Sequence, residues 1–434
     1  MPRGVKAVKP EPVASPPEVA TRPGAALRME IPKTPVSSKS GKLAAARAAG
    51  AKALKKPVDE WKVTLDYEQL KEPLPHLPTG SLIIDYLIGG ELNRFGVAPC
   101  PGLPRSRISQ LWGHESAGKT TLALTAAATT IKRGGTVLYI DWENDIVPDY
   151  AMALGIPIGD DDKFELVQPD TLEDGLKLAM VYAAAGVDLI VFDSVGAAVP
   201  NRIASRESSE VAEQSRVGEL QAIWSQELPN LKKVINKSGT HVLGISQIRA
   251  KIATGPAHGG PTTQPQGGNA WKFYSALRME LRRIKKESSK LHNALTHKTD
   301  DRVTGGVIQC EVMKCKLSRS QGRKEVFYIR WGDGIDDLRS IMEIAISYGV
   351  IKKGGAWLSW ETPEGESIKV QGINALRDHL QAHPAHIKVL YSAVIPFLGN
   401  QQFDEEDLEE INADVIFAED AEELAPDVDL SEPE

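Results

Sequence analysis

At 434 residues the chain is long enough for one large core and a satellite domain, since single cores stop growing near about 250–300 residues. Its 41% hydrophobic and 25% charged residues are ordinary for a soluble globular protein. No apolar run approaches the ~18 residues of a membrane span, and Cys100, Cys310 and Cys315 lack the spacing of a disulfide framework or a zinc finger. The net charge of -7 hides opposed ends: residues 1–57 hold twelve Lys/Arg against three Glu, and residues 403–434 hold fifteen Asp/Glu with no Lys or Arg. That pattern fits nucleic-acid partners, with a basic arm that meets phosphates and an acidic tail that competes for it; two solubilising tails would have the same composition.

The first 35 residues contain eight prolines, which predicts a disordered arm. Residues 41–56, GKLAAARAAGAKALKK, combine helix formers with basic side chains and predict a short cationic helix that forms on meeting DNA or a neighbouring subunit. A cleaved transit peptide shares this composition, whereas a secretory signal is not expected, because the Met1 end lacks an apolar stretch. From about residue 76, ISQLWG (108–113), TVLYIDWE (136–143), DLIVFDS (188–194) and HVLGISQ (241–247) have the β-branched, Gly-bounded character of buried strands. Between them, TTLALTAAATTIKR and TLEDGLKLAMVYAAAG place apolar residues at three- and four-residue steps.

Repeated strand-helix-strand units predict an α/β fold with a mostly parallel central sheet and right-handed crossovers. ALRMELRRIKK, GVIQCEVMKCKL and EVFYIRW then predict hairpin-linked strands that extend the sheet. Residues 336–399 change to a smaller helical pattern around GGAWLSW. The expected organisation is an arm over 1–57, an α/β core over 58–335, a small α+β C-terminal domain over 336–402 and a disordered acidic tail over 403–434.

GHESAGKTT, residues 113–121, fits Gly-x4-Gly-Lys-Ser/Thr and falls between a predicted strand and a predicted helix. In that setting backbone N–H groups and the positive helix end surround a phosphate chain. The expected nucleotide contacts are therefore Gly113, His114, Glu115, Ser116, Ala117, Gly118, Lys119, Thr120 and Thr121, with Lys119 reaching the β and γ phosphates and Thr120 offering its hydroxyl to Mg2+. LIVFDS ends an apolar strand in Asp193, the Walker B arrangement, and a buried carboxylate there calls for a cation such as Mg2+ held through water.

The preceding strand ends Asp141-Trp142-Glu143, and period-two alternation predicts Asp141 and Glu143 on one face. One of them orients water, or both cap the loop; the residues alone leave both readings open. A fourth strand brings Gln247 to the same edge, where a neutral amide can bond a γ phosphate and register its loss. IRAKIATGPAHGGPTTQPQGGNA follows, Gly/Pro-rich and charged by Arg249 and Lys251, and suits a switch better than an idle surface loop. Lys314 and Lys316 share a predicted strand face; gatekeeper lysines at a solvated edge account for their spacing equally well.

Together with TGSLIIDYLIGG, YIDWENDIVPDYAMALGI, QPDTLEDGLKLA, VDLIVFDSVGAAVP, ISQIRAKI and GGNAWKFYSALRMELRRI, these motifs resemble the RecA recombinase family over roughly residues 76–395. The resemblance implies a RecA-type P-loop ATPase core that uses ATP and Mg2+. It makes Glu143 the general base, Tyr150 the aromatic that stacks on adenine, and Gln247 the link from γ phosphate to a second DNA loop starting at Ile248–Ile252. Candidate DNA contacts are then Arg249, Lys251, Ile252, Gly267 and Gly268, with Arg202, Arg206 and Arg216 in the region matching the first DNA loop. Lys314 and Lys316 match a pair that reaches a neighbouring subunit's ATP.

The implied activity is DNA-dependent ATP hydrolysis by a helical filament of identical subunits on single-stranded DNA, which pairs with homologous duplex and exchanges strands in recombination and repair. Single-strand-binding and loading proteins are the expected further partners, no membrane is involved, and the expected location is the cytoplasm of a bacterial or virus-infected cell. Two other readings fit the same residues: a RecA-core paralogue that remodels DNA or replication forks, and an ATP-gated DNA-binding filament scaffold. Departures from the family pattern are NRIASRESSEVAEQSRVG in the first loop, Pro256, Pro261 and Pro265 in a second loop without a central aromatic, an ELNRFGVAPCP insertion and the Pro-rich arm. They suit a virus-encoded or otherwise non-standard member.

Overall fold

The computed structural model describes residues 40–60, 68–160, 162–204, 212–250, 263–293, 298–363 and 365–394, so the Pro-rich arm before residue 40 and the acidic tail lie outside the described residues. Contacts divide the chain into Met1–Leu65 and Asp66–Glu434. In the first unit the cationic segment forms α1 (Ser40–Leu54), built largely from Ala, Lys and Arg, and its described side chains are exposed or half-buried.

The second unit begins with β1 (His76–Leu77), α2 (Leu82–Gly89), β2 (Leu103–Pro104), β3 (Ile108–Gly113), α3 (Lys119–Lys132), β4 (Val137–Asp141), α4 (Pro148–Ala153), β5 (Phe164–Val167), α5 (Leu172–Ala185) and β6 (Leu189–Asp193). It continues through α6 (Asn201–Ala204), α7 (Ala212–Ser238), β7 (His241–Ala250), β8 (Thr263–Pro265), α8 (Gly268–Tyr274), β9 (Leu277–Asn293), β10 (Lys298–Cys315), β11 (Lys324–Arg330) and β12 (Gly334–Ile335). The remaining elements are α9 (Asp337–Ser347), β13 (Lys352–Gly354), β14 (Trp357–Glu361), β15 (Ser367–Gln371), α10 (Gly372–Ala382) and α11 (Pro384–Val394).

The main sheet runs β12-β11-β10-β9-β3-β7-β6-β4-β5. Its pairs from β9 to β5 are parallel, and β10, β11 and β12 extend it by antiparallel pairing. β3, β4, β6 and the first six residues of β7 are buried on both faces, and alternation divides their side chains between two apolar layers. Val137, Tyr139, Leu189, Val191, Leu243 and Ile245 point into one, with α2 and α3; Leu138, Ile140, Ile190, Phe192 and Val242 point into the other, with α5, α7 and α8.

The second layer is rich in aromatics. Trp224 lies 5.0 Å from Trp271 and 5.4 Å from Phe192, both edge-on, and Trp142 stacks on Phe192 at 5.5 Å. The Trp224 indole N–H donates to the Val195 carbonyl at 3.1 Å, so this large ring also fixes the chain just after β6.

Residues of α9, α10, α11 and the β13-β14-β15 sheet bury Ile341, Leu358, Trp360, Leu380 and Leu390 in the same layer as α2 and α3. Asp337 joins them to the core, accepting from the Ser81 hydroxyl and the Leu82 N–H, both at 2.9 Å, at the start of α2. Asp336 caps α9 through the Arg339 N–H at 2.9 Å and also pairs with Arg377 of α10.

Candidate nucleotide site

Register brings the candidate residues together at the carboxyl edge of the parallel strands, where open α/β sheets bind ligands. Gly113, the last residue of β3, lies opposite Gln247 on β7, and Asp141 of β4 lies opposite Asp193 of β6. The turn between β3 and α3 has no room for side chains at its ends. A Cβ on Gly113 would stand 2.2 Å from the Leu281 carbonyl oxygen, and one on Gly118, whose φ is +82°, 2.2 Å from Ile329. His114, Glu115 and Ser116 form the exposed rim, whereas Ala117 and Lys119 are buried.

The Lys119 ammonium donates to the His114 carbonyl at 2.8 Å and closes the loop on itself. Burial pulls its pKa down, and the carboxylates of Asp193, Glu143 and Glu115 oppose that shift. Asp193 is 4% exposed, and one of its oxygens accepts both the Thr120 hydroxyl at 2.9 Å and the Tyr139 hydroxyl at 2.7 Å. Burial pushes its carboxyl up to about 6 despite those bonds, with Glu143 and Asp141 adding to the rise. A buried carboxylate of raised pKa beside a threonine hydroxyl at a phosphate loop is a hard-oxygen donor set of the kind that Mg2+ takes. Tyr150 of α4 shares a 2.8 Å hydrogen bond with Thr121, which places its ring beside the first turn of α3.

The structure separates the two carboxylates that alternation put on one face. β4 ends at Asp141, whose buried carboxylate turns back to accept the N–H groups of Glu143 and Asn144, each at 3.0 Å, and so caps the turn. Asn144 adopts a φ of +57° there. Strand alternation stops where the turn begins, and Glu143 has a different partner. The Gln247 amide donates to both of its oxygens, at 3.0 and 3.1 Å.

The segment after Gln247 is paired at its base. β7 continues to Ala250, and Ile248, Arg249 and Ala250 face Pro265, Gln264 and Thr263 of β8. The Gln266 N–H donates to the Gln247 carbonyl at 2.9 Å, tying the returning strand to the same residue. Gly267 and Gly268, both at positive φ, lead into α8; Cβ atoms there would stand 2.8 Å from Val195 and 2.6 Å from Gln221, so tight packing accounts for both glycines.

The other candidate DNA contacts are spread. Arg202 is exposed on α6, Arg216 falls on α7 and Arg249 on β7, while Arg206, Lys251 and Ile252 lie outside the described residues. Much of the stretch matching the first DNA loop is thus helical, in α6 and the start of α7.

Lys314 and Lys316 sit toward the opposite edge of the sheet. Cys315 pairs with Leu277, the first residue of β9, and the Lys314 ammonium donates to the Lys272 carbonyl at 2.6 Å. Burial, with repulsion from Lys316, Arg278, Lys232 and Lys272 beside it, brings the Lys314 pKa down to about 8. Sequence reasoning missed this basic cluster, which register assembles from α7, α8, β9 and β10. It also missed Tyr139, whose contact with Asp193 depends on the β4/β6 register.

A sequence model of the RecA N-terminal domain matches residues 60–336. Protein RecA of Levilactobacillus brevis is 38% identical over 309 residues, covering 71% of this chain and 73% of its own. Protein RecA of Lactobacillus delbrueckii subsp. bulgaricus is 36% identical over 341 residues, 78% of this chain and 92% of its own. The chain belongs to the RecA family. Protein RecA of Thermus thermophilus is 33% identical over 349 residues, 80% of this chain and 93% of its own. As a RecA-family member, the chain is a homologous-recombination and DNA-repair protein that works by strand exchange. Among the described residues no helix is long and apolar enough to cross a membrane.

Proposed function

We propose that the chain is a DNA-dependent ATPase whose hydrolytic carboxylate is controlled by the base of its DNA loop. The bidentate contact from Gln247 to Glu143 carries this reading: the residue placed to orient water is held by the residue from which the β7-β8 hairpin leaves the sheet. While the amide engages both oxygens, Glu143 has less freedom to orient a water. When Gln247 turns to another acceptor, Glu143 is released and the hairpin moves with the backbone of Gln247 and Gln266.

Lys119 exchanges the His114 carbonyl for phosphate oxygens, and the N–H groups of residues 114–120 line the phosphate chain. Thr120 and Asp193 would hold Mg2+, which when bound neutralises phosphate charge. Tyr150 flanks the base. Lys314 and Lys316 sit in a basic cluster at the far edge and reach the nucleotide of the next subunit, so that assembly is head-to-tail and extends into a helical filament on single-stranded DNA. Arg and Lys side chains supply sequence-independent, salt-sensitive affinity, and base pairing tests homology.

Steady-state ATP turnover with and without single-stranded DNA tests the reading. Wild-type turnover is expected to rise with DNA. Glu143→Gln should lower it by roughly 10²–10⁴ while ATP still binds, and Gln247→Ala should bind ATP but lose the response to DNA. Turnover indifferent to DNA, or an active Glu143→Gln chain, contradicts it.

A further inference from the structure

Outside the nucleotide site, three histidines meet where the last two helices join. His379 lies on α10, His383 ends that helix and His386 lies in the first turn of α11. Their rings are nearly parallel, with centroids 4.4, 5.3 and 5.3 Å apart. One nitrogen from each lies within 4.8 Å of the others, and among the described residues no other trio of His, Cys, Asp or Glu gathers so closely.

Hydrogen bonds to two of the rings prepare their remaining nitrogens as ligands. His386 Nε2 lies 3.0 Å from a Glu366 carboxylate oxygen on the turn between β14 and β15, and His383 Nδ1 lies 2.8 Å from the His379 carbonyl. Each acceptor holds the proton on the nitrogen it faces and leaves the lone pair on the other, the outer arrangement of metal-bound histidine. His386 Nδ1 then stands 3.2 Å from His379 Nε2. That is close to the ~3.3 Å between two nitrogens on a tetrahedral ion with bonds of about 2.0–2.1 Å. His386 is 6% exposed and edge-on to Trp360, whereas His383 lies at the exposed side of the trio.

We propose that His379 Nε2, His383 Nε2 and His386 Nδ1 bind a divalent transition-metal ion of the Zn2+ type, with water in the fourth position. Imidazole is a ligand class that suits Zn2+ and disfavours Mg2+. His379 moves its proton to Nδ1 as the ion takes the place of the shared hydrogen bond. The ion ties α10 to α11 across the turn at His383 and, through Glu366, to the β14-β15 hairpin.

The test uses the full chain, freed of metal with a chelator and kept free of nucleotide. It is titrated with Zn2+ by calorimetry, and with Co2+ as a spectroscopic probe. The proposal expects one ion per chain, a tetrahedral Co2+ absorption band and a rise in melting temperature on adding Zn2+. His383→Ala, at an exposed position, should melt like metal-free wild type yet bind Zn2+ at least about tenfold more weakly, and Glu366→Gln should show a loss of about tenfold. Absence of stoichiometric binding by wild type, or equal affinity and equal melting shift in His383→Ala, would overturn it and leave the three rings as packing alone.

Discussion

Gln247 and Glu143 show how little of a site depends on residue type alone. Both were recognisable in the sequence, but their contact requires Gln247 of β7 to lie level with the turn after β4, and it requires Asp141 to turn inward and cap that turn. Asp141 and Glu143 are two residues apart, and period two holds only while the strand lasts, so the sequence could not show that one caps and the other faces the amide. Tyr139 was hidden for a related reason: a tyrosine in an apolar strand looks like core until its neighbour proves to be Asp193.

Lys314 offers a test at the same scale. Its pKa of about 8 lies below that of an ordinary lysine, so between about pH 8 and 10.4 the unfolded chain binds more protons than the folded one. The cost of holding this charge in the fold is full below pH 8 and disappears as the pH rises through that window. In the free chain at pH 8, Lys314 should react with an amine-directed acylating reagent faster than the lysines of α1, as read by peptide mass spectrometry. ATP and single-stranded DNA together should protect it. Equal labelling rates, or no protection, would count against both its environment and its place at a subunit contact.

At the scale of elements, the phosphate-loop strand, the two strands that follow it toward Asp141 and Asp193, and the α3 and α5 helices were legible to within a residue or two, because buried parallel strands and amphipathic helices write their periods plainly. β5 was not, since it is four residues long at the sheet's edge and only Phe164 of it is buried. β8 was hidden by composition: TQP between Gly- and Pro-rich stretches looks like loop, and only pairing with β7 makes it a strand.

α8 depends on the aromatic layer. Trp271 is fully buried, lies over Gly244 and Gly267 and packs edge-on against Trp224. Trp271→Ala should destabilise the core by about 3–5 kcal/mol in urea unfolding, far more than Trp357→Ala at an exposed position of β14. A loss below about 1 kcal/mol would mean that the layer repacks.

For the whole molecule, the uneven distribution of charge has a direct consequence. The tail of residues 403–434, with its fifteen carboxylates, is expected to compete with DNA phosphates for the chain's Lys and Arg residues. Deleting it should strengthen duplex binding at low salt, measured by fluorescence anisotropy, and the gain should shrink as salt is added. Unchanged affinity at low salt would remove the tail from DNA control. The sequence showed this polarity fully, whereas the basic cluster at the far sheet edge emerged only from the fold.

If hydrolysis requires the phosphate loop and Glu143 of one subunit with Lys314 of the next, DNA-stimulated ATP turnover should return when two inactive variants are mixed. Glu143→Gln chains keep Lys314, and Lys314→Ala chains keep Glu143, so random head-to-tail assembly of equal amounts restores about a quarter of the composite sites. The account predicts two nearly inactive preparations that recover roughly that fraction of wild-type turnover when mixed on single-stranded DNA. A mixture no more active than its components would contradict it and place the whole site within one chain.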